Sequence, residues 1–399
     1  MSEWVNRIHV GHCLDVLKQM PTDLVDTVVT SPPYWNSVRD YGDDTGADWG
    51  DWNGQLGHEA DPLQFVEHIL QVTRELKRVL KPTGSFFLNF GDGYYHGPEK
   101  GWLRPKQLLG IPWRVAIAMQ DEGWILRNDL IWWKVNAMPT SSVDKWKPSH
   151  EHVFFFTKEP DYYFDIRTIL QPLSEGSLKR INQRNALKQT GGDKQNLLRG
   201  ETSEKGNQSR SIDVMRGLAM KSPEEGRHPD DVLSVPSHGF PGSHFATFPQ
   251  DLVEPFVKST CPKEVCRNCG KPRERLWETE APEGGYKGTR NVGGRKDGYM
   301  TNLGDITEIK ATWKFIGWSD CGCGKGWARG ILLDPFAGSG TALRVARRLG
   351  RDFIGIDIKE EYAEMARGRI TGEVRKTNGA SSLTDFTERV EVAQDKKEV

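Results

Sequence analysis

The sequence predicts an α/β protein with a doubly wound sheet, and three observations predict this fold. Apolar runs of strand length alternate with longer segments whose apolar residues recur at helical spacing. The run at 25–30 ends in two prolines, and the run at 331–334 leads into a glycine-rich loop and a helical pattern. Both unusual stretches therefore follow the carboxyl ends of strands, which is the edge where open α/β sheets bind ligands.

Each element has its own signal. Strands are predicted where short apolar runs stop at turn residues, and helices where apolar residues recur every three or four positions, as at Phe65, Ile69 and Val72. Lys81-Pro82 and Gly84 end that helix, so we expect the next strand to begin at Ser85. The predicted strands lie at 5–10, 25–30, 85–90, 124–133, 151–157, 331–334 and 353–357, with structure resuming at 232 after an insertion. The predicted helices lie at 13–20, 62–80, 111–122, 250–258, 341–349 and 360–369.

Composition is that of a soluble globular protein. The chain has 399 residues, with 54 Lys and Arg against 55 Asp and Glu, and its mean hydropathy is −0.61. No apolar run reaches the ~18 residues of a membrane span, and the first residues lack the pattern of a signal peptide. We therefore expect a cytoplasmic protein without membrane contact. A net charge of −1 neither supports nor excludes a nucleic acid partner.

One long segment differs in composition from the rest of the chain. Residues 171–230 contain no Phe, Trp or Tyr and carry 11 Lys and Arg against 8 Asp and Glu. Such a segment cannot bury much of a core, so we expect an extended or partly disordered insertion. It is either a solvated surface loop or an arm that becomes ordered on a phosphate backbone.

The stretch Thr30–Trp35, here called the proline corner, has the sequence Thr-Ser-Pro-Pro-Tyr-Trp. Ser31 and Pro32 each precede a proline and are restricted to extended geometry, so their carbonyl groups point in fixed directions. The result is a preformed cluster of hydrogen-bond acceptors beside the ring of Tyr34. Taken alone, two prolines after a strand are more often a simple turn.

The stretch Asp334–Thr341, here called the glycine loop, has the pattern of a nucleotide site. Gly338 and Gly340 let the backbone approach a ligand at a helix N-terminus, and Asp357 at the end of the following strand can accept hydrogen bonds from ribose hydroxyls. A dinucleotide is disfavoured because Leu343 replaces the third glycine of that fingerprint. A nucleoside with an amino-acid arm fits better, and Asp334 could face the cationic arm.

Four cysteines form two close pairs, Cys266-x2-Cys269 and Cys321-x-Cys323. In a cytosolic chain such pairs are typical of a structural zinc site with four thiolate ligands. The second spacing is tighter than usual, and the alternative is four reduced thiols in a loop. If zinc binds, it attaches the segment of about 50 residues between the two cysteine pairs, here called the zinc excursion, to the core.

The proline corner and the glycine loop together resemble the DNA amino-methyltransferases that use S-adenosylmethionine. With the tetrapeptide first and the glycine loop second, the chain is similar to the circularly permuted β class of that family, with its Rossmann-like sheet. The resemblance covers about 1–165 and 230–370. It implies catalytic roles for Ser31, Pro32, Pro33 and Tyr34. It implies cofactor contacts from Asp334, Phe336, Gly338, Gly340, Thr341, Asp357 and Phe248, and from His12 where many relatives carry an acidic residue.

The chemistry expected of such a site follows from its acceptors. Hydrogen bonds from an exocyclic amino group to the Ser31 hydroxyl and the Pro32 carbonyl would favour a pyramidal nitrogen with its lone pair aimed at the methyl group. Tyr34 would stack on the base, which must be flipped out of the duplex. Relatives with Ser in the first position resemble cytosine-N4 enzymes, so we expect that activity, with adenine N6 as the alternative. A non-catalytic DNA-binding module and an RNA or small-molecule methyltransferase are more distant alternatives.

The expected partner is double-stranded DNA, and a cognate restriction endonuclease is a further candidate. The sequence does not determine the oligomeric state. The predicted organisation is a catalytic half at 1–165, a target-recognition insertion at 166–235, a cofactor-side helix segment at 236–262, a zinc excursion at 263–328, a cofactor-binding half at 329–370 and a disordered tail at 371–399.

Three further features each leave two interpretations open. Asp92 could position the cofactor or base, or it could be a turn aspartate. Trp132 and Trp133 could stack on the base or lie in the core. The aromatic-rich loop at 36–60 could be a lid over the proline corner or a packed segment.

Overall fold

The computed structural model describes residues 3–36, 47–173, 175, 226–237, 248–280 and 312–372. The chain divides into two compact units. The first comprises Met1–Thr168, Asp230–Pro272 and Cys323–Val399, and the second comprises Ile169–Pro229 and Arg273–Gly322. Most of the predicted insertion and nearly all of the predicted tail lie outside the described residues, so those predictions stay untested.

The described residues form fourteen strands, and the sequence predicts seven of them. They are β1 (Arg7–Val10), β2 (Val25–Thr30), β3 (Ala47–Asp48), β4 (Asn53–Gly54), β5 (Leu80–Phe90), β6 (Ile125–Trp133), β7 (His150–Thr157), β8 (Val232–Ser234), β9 (Val265–Cys266), β10 (Arg275–Glu280), β11 (Thr312–Trp318), β12 (Trp327–Ala328), β13 (Ile331–Asp334) and β14 (Asp352–Asp357). Eight of them form one sheet in the order β1-β14-β13-β2-β5-β7-β6-β8.

The central sheet is mostly parallel. Strands β1, β14, β13, β2 and β5 pair in parallel, and β7 is antiparallel to both of its neighbours, β5 and β6. The carboxyl ends of β2, β5, β6, β13 and β14 therefore meet at one edge of the sheet, together with the amino end of β7. Both motifs singled out in the sequence lie at that edge.

Helices cover both faces of the sheet, as a doubly wound fold requires. They are α1 (Cys13–Gln19), α2 (Pro62–Val79), α3 (Ile111–Asp121), α4 (Gln250–Thr260), α5 (Thr341–Arg348) and α6 (Glu360–Thr371). Residues of α1, α2 and α3 pack with Val28 and Phe86 on one face, whereas residues of α4, α5 and α6 pack with Val29 and Phe87 on the other. This alternation along β2 and β5 is what a strand buried on both sides requires. The predicted α/β fold is confirmed.

Helix α2 shows why these predictions succeed. Asp61 caps its N-terminus by accepting a hydrogen bond from the Leu63 backbone N–H at 2.8 Å. The apolar stripe with Phe65, Ile69 and Val72 is buried against the sheet. Burial of one such side chain is worth about 1.5–3 kcal/mol, so the pattern of apolar spacing fixes which face of the helix points inward.

One boundary differs from the prediction. Strand β5 begins at Leu80, directly after α2, and not at Ser85. Val25 of β2 pairs with Leu80, whereas Thr27 pairs with Ser85, so the register shifts between them. Pro82 and Gly84 fall within this irregularity, where an unpaired proline and a glycine are tolerated.

The described residues of the second unit form an antiparallel pair of strands, β10 and β11. Trp277 and Phe315 contact each other across this pair, with ring centroids 5.5 Å apart. Among the described residues of the whole chain, no helix is long and apolar enough to cross a membrane.

Candidate active site

The proline corner and the glycine loop lie on adjacent strands. The Thr30 hydroxyl at the end of β2 donates a hydrogen bond of 2.6 Å to Asp334 Oδ1 at the end of β13. Both side chains are buried, and they are 304 positions apart in the chain. The two motifs are therefore joined directly, and together they form one site at the carboxyl edge of the sheet.

Within the proline corner, the polar groups of Ser31 and Tyr34 face each other. Ser31 Oγ lies 3.3 Å from Tyr34 Oη. The Tyr34 ring packs against Phe90 at 5.6 Å between centroids. A Cβ added at Gly91 would lie 2.8 Å from the edge of the Tyr34 ring, so the position of this ring depends on a glycine beside it.

Three further side chains complete the proline corner, and no sequence motif points to them. Tyr34 Oη donates to Glu151 Oε2 at 2.8 Å, and Asn89 Nδ2 donates to the same carboxylate oxygen at 2.8 Å. The Lys134 ammonium group forms an ion pair with Glu151 Oε1. Asn89, Lys134 and Glu151 lie at or beside the ends of β5, β6 and β7, which the topology brings to the same edge.

Burial raises the pKa of the Tyr34 phenol well above its ordinary value of 10.0, and the charge of Glu151 adds to this effect. Tyr34 is therefore a neutral hydrogen-bond donor to Glu151 throughout the physiological pH range.

The chain after the proline corner is packed against the core. Glu59 accepts a hydrogen bond from the Gly57 backbone N–H and contacts His68 Nδ1 at 2.8 Å. The His68 ring is buried and stacks with both Trp49 and Trp52. The described part of the predicted lid is therefore a packed segment, while residues 37–46 lie outside the described residues.

The glycine loop is shaped by its two glycines. Gly338 and Gly340 have φ angles of +49° and +74°, which side chains rarely adopt. The Gly338 backbone N–H donates to Asp357 Oδ2 at 2.8 Å. A Cβ added at Gly338 would have no neighbour closer than the Phe336 carbonyl oxygen at 4.0 Å, so the loop borders open space. Thr341 begins α5 and is buried.

Two buried carboxyl groups give this loop an acidic character. Burial raises the pKa of Asp334 to about 7 and that of Asp357 to about 6. Among the described residues, Asp334 accepts hydrogen bonds from the Thr30 hydroxyl and the Phe336 N–H, and no ion pair joins either aspartate to a basic side chain. A cationic ligand at this loop would therefore gain electrostatic attraction from both groups.

His12 and Phe248 lie close to this half of the sheet. His12 follows β1, and its ring meets Trp49 edge-on at 4.6 Å between centroids. Both ring nitrogens are buried without a hydrogen-bond partner, and burial lowers the pKa of this histidine. Phe248 is half-buried against the apolar cluster that contains Ala337 of the glycine loop.

The structure decides the other two open interpretations. Asp92 accepts hydrogen bonds from the backbone N–H groups of Gly93, Gly110 and Ile111, and so caps the start of α3. Trp132 is buried and donates to the Val235 carbonyl oxygen at 2.8 Å, whereas Trp133 is 46% exposed. Asp92 and Trp132 are structural residues.

The four paired cysteines are brought together. The sulfur atoms of Cys266, Cys269, Cys321 and Cys323 all lie within 4.8 Å of one another. Asn268 donates from its backbone N–H to the Cys266 sulfur and from its side chain to the Cys323 sulfur, at 3.4 and 3.6 Å. Such N–H contacts stabilise thiolates. The donor set fits a tetrahedral zinc ion.

The sequence matches a known family of proteins. The N6/N4 methyltransferase family model, described as DNA methylase, matches residues 25–266 and 327–368. The type II methyltransferase M.XycI of Xanthomonas campestris pv. cyanopsidis is 28% identical over 383 residues, which cover 91% of this chain and 87% of that protein. The type II methyltransferase M.SfiI of Streptomyces fimbriatus is 30% identical over 410 residues, covering 89% of this chain and 88% of that protein.

A solved structure shares the fold. The chain titled PvuII DNA methyltransferase (cytosine-N4-specific) superposes with a TM-score of 0.51 at 17% identity, over 96% of this chain and 93% of that one. The resemblance inferred from the two motifs is confirmed, and the chain belongs to the N6/N4 family of DNA amino-methyltransferases.

Proposed function

We propose that the protein transfers a methyl group from S-adenosylmethionine to the exocyclic amino group of a base flipped out of double-stranded DNA, with cytosine N4 as the acceptor. The observation that carries this proposal is the Thr30–Asp334 hydrogen bond of 2.6 Å, which joins the proline corner to the glycine loop. A methyl donor at the loop and a base at the corner would then be neighbours.

The glycine loop supplies the groups that S-adenosylmethionine needs. The cofactor, when bound, supplies a methyl group on a positively charged sulfur. Asp357 would accept hydrogen bonds from ribose hydroxyls, and Asp334 would face the cationic amino-acid arm. The backbone at Gly338 and Gly340 would approach the ligand, with Phe336, Thr341, His12 and Phe248 lining its surroundings.

The proline corner would orient the amino group. The Ser31 hydroxyl and the Pro32 carbonyl would accept its two N–H bonds, Pro33 would hold the backbone rigid, and the Tyr34 ring would stack on the base. The cost of flipping a base is a few kcal/mol, which these contacts offset.

The choice between cytosine N4 and adenine N6 rests on Ser31, since relatives with Ser at this position resemble cytosine-N4 enzymes. Adenine N6 is the second candidate. The order of the two motifs, with the proline corner on β2 and the glycine loop after β13, supports the circularly permuted arrangement.

An exposed loop beside the proline corner supports DNA as the partner. The segment 134–149 joins β6 to β7, and in it Met138, Val143 and Trp146 are 83%, 100% and 95% exposed. Lys145 and Lys147 lie in the same segment. Apolar and aromatic side chains among lysines suit contact with bases and phosphates.

The names of the relatives support a place in a type II restriction–modification system with a cognate endonuclease. The segment proposed to read the target sequence, 166–235, lies largely outside the described residues.

We also propose that the four-cysteine cluster binds one structural zinc ion, which would hold β9 and β12 to the adjoining loop. Elemental analysis of the purified protein would then find one zinc per chain, released by a chelator together with a fall in thermal stability. Protein that is folded and active without stoichiometric zinc contradicts this proposal.

The proposed function is tested with the labelled methyl donor. We expect label to enter double-stranded DNA that contains the recognition site and not RNA of the same sequence. An Asp357→Ala variant should lose cofactor binding. Transfer to RNA, or no transfer to any DNA by protein that binds the cofactor, would contradict the proposal.

A further inference from the structure

The proline corner contains a chain of hydrogen bonds that ends at a carboxylate. Ser31 Oγ lies 3.3 Å from Tyr34 Oη, and Tyr34 Oη lies 2.8 Å from Glu151 Oε2. From this arrangement we propose that Glu151 receives, through Tyr34 and Ser31, the proton that the target amino group must lose. This inference rests on the proposed function and adds a proton acceptor to it.

The direction of the chain follows from its end group. A carboxylate only accepts, so the single Tyr34 proton points to Glu151. The Tyr34 oxygen then accepts, and its partner in the chain is the Ser31 hydroxyl. The Ser31 proton then points to Tyr34. Ser31 Oγ accepts from Asn89 Nδ2 at 3.3 Å and keeps its second lone pair for the N–H of a target base.

Asn89 and Lys134 surround this chain of hydrogen bonds. Asn89 Nδ2 is a donor only, and it lies 3.3 Å from Ser31 Oγ, 2.9 Å from Tyr34 Oη and 2.8 Å from Glu151 Oε2. The Lys134 ammonium group pairs with the other carboxylate oxygen, Oε1. Both residues position the chain of hydrogen bonds without belonging to it.

The fold also leaves room for this arrangement. A Cβ added at Gly91 would lie 2.8 Å from Tyr34 Cε2 and 3.2 Å from Glu151 Oε1. The Glu151 side chain is 13% exposed, so little solvent competes for its oxygens. The high pKa of Tyr34 means that this residue gives up its proton only as it receives another.

The protons and charges balance along the chain. Methyl transfer forms an N–C bond on the amino nitrogen and breaks the S–C bond of the sulfonium donor, whose sulfur keeps the electron pair. The nitrogen is left with a positive charge and loses one proton to Ser31 Oγ. The Ser31 proton moves to Tyr34, and the Tyr34 proton moves to Glu151. The carboxylate becomes neutral, neither hydroxyl becomes charged, and Glu151 returns its proton to solvent after the product leaves.

The test uses Glu151→Gln, which keeps the size of the side chain but removes the base, and Tyr34→Phe, which keeps the ring but removes the hydroxyl. Single-turnover methylation should slow by about a hundredfold or more in each, with the dissociation constants for S-adenosylmethionine and DNA within threefold of wild type. The double variant should be no slower than either single variant, because both interrupt the same chain.

A solvent deuterium isotope effect separates proton transfer from a structural role. The wild-type single-turnover rate should fall in heavy water, and more than one proton should contribute to this isotope effect. In Tyr34→Phe, the contribution of more than one proton should be lost. The matched control is Asp129→Asn, which removes a carboxylate that pairs with His152 on the same two strands, outside the chain of hydrogen bonds.

The outcomes distinguish this inference from the proposed function. Wild-type protein that transfers methyl groups, while Glu151→Gln transfers them within threefold of the wild-type rate, overturns the relay alone. An isotope effect that is equal in wild type and Tyr34→Phe overturns it as well. Wild-type protein that transfers no methyl group to DNA contradicts the proposed function.

Discussion

The glycine loop and the proline corner lie side by side, but they are held by different contacts. The glycine loop is built on backbone groups: the N–H of Gly338 and of Lys359 donate to Asp357, and that of Phe336 donates to Asp334. The proline corner is built on side chains from three other strands, with Asn89, Lys134 and Glu151 around Tyr34. The first region is thus determined locally, whereas the second requires that the whole edge of the sheet be assembled.

This difference has consequences for substitutions. A side-chain change in the proline corner should leave the backbone intact and remove activity. A backbone change in the glycine loop should affect the fold as well as the cofactor.

The largest effect is expected at Tyr34. Tyr34→Ala removes the ring proposed to stack on the base and the hydroxyl that contacts Glu151, so methylation should fall by about a thousandfold. The dissociation constant for S-adenosylmethionine, measured by calorimetry, should stay within threefold of wild type. A comparable loss of cofactor binding would show that the two regions are not separable in this way.

The second prediction compares two glycines with the same backbone angle. Gly340 and Gly350 both have φ +74°, but a Cβ at Gly340 would lie 2.7 Å from Ala366 Cβ, whereas nothing lies within 4 Å at Gly350. Gly350→Ala should cost about 1 kcal/mol of unfolding free energy for the backbone angle alone. Gly340→Ala should cost roughly 1–3 kcal/mol more, because the neighbouring helix must move.

Urea unfolding of the two variants measures this difference. Equal midpoints for Gly340→Ala and Gly350→Ala would contradict the close packing of the glycine loop on α6.

The third prediction concerns pH. Burial raises the pKa of Asp334 from 3.8 to about 7, so the folded protein without ligand binds this proton more tightly than the unfolded chain. The contribution of protonated Asp334 to the free energy of unfolding is therefore fully present below about pH 4 and is lost as the pH rises through 7. Cofactor binding should show the opposite trend, because the cationic arm needs the ionised group.

Between pH 8.5 and 5.5, affinity for S-adenosylmethionine should fall by up to roughly 30-fold through Asp334. The control is Asp334→Asn, which keeps the acceptor for Thr30 but cannot ionise. It should bind more weakly at pH 8.5 and lose most of the pH dependence. An unchanged pH dependence in this variant would rule out Asp334 as the group responsible.

The smallest effect is expected in the exposed segment 134–149. Trp146→Ala should weaken DNA binding by roughly five- to tenfold through lost stacking, without changing cofactor affinity. Val143→Ala is the control, since Val143 is fully exposed in the same segment but carries no ring. Fluorescence anisotropy with labelled duplex measures both variants. A Trp146→Ala affinity equal to that of wild type would contradict the stacking proposed for this residue.

The difference between local contacts and contacts among separate strands also explains how much of the structure can be predicted from the sequence. Apolar periodicity predicts seven of the eight strands of the central sheet and all six described helices, to within one or two residues at most boundaries, because burial of one face fixes each element. The glycine loop is predicted with its acid, since strand, glycines and Asp357 follow one another at short range. The proline corner is predicted only in its contiguous part, Thr30–Trp35.

Asn89, Lys134 and Glu151 could not be assigned from the sequence. Each lies at the end of a strand, which was the available signal, but a strand end alone does not say which side chains meet. Their meeting depends on β7 being antiparallel to β5 and β6, which places the amino end of β7 beside two carboxyl ends. The early start of β5 was missed for a similar reason, because pairing with β2 overrides the turn signal of Pro82 and Gly84.

The central claim is that the site methylates an exocyclic amino nitrogen. It is tested most directly by digesting DNA methylated by the purified protein to nucleosides and identifying the product by mass spectrometry and chromatography against standards. The account predicts N4-methyldeoxycytidine. N6-methyldeoxyadenosine would mean that the proline corner acts as proposed but that the acceptor is adenine and not cytosine. 5-Methyldeoxycytidine, with the methyl group on carbon, would contradict the account.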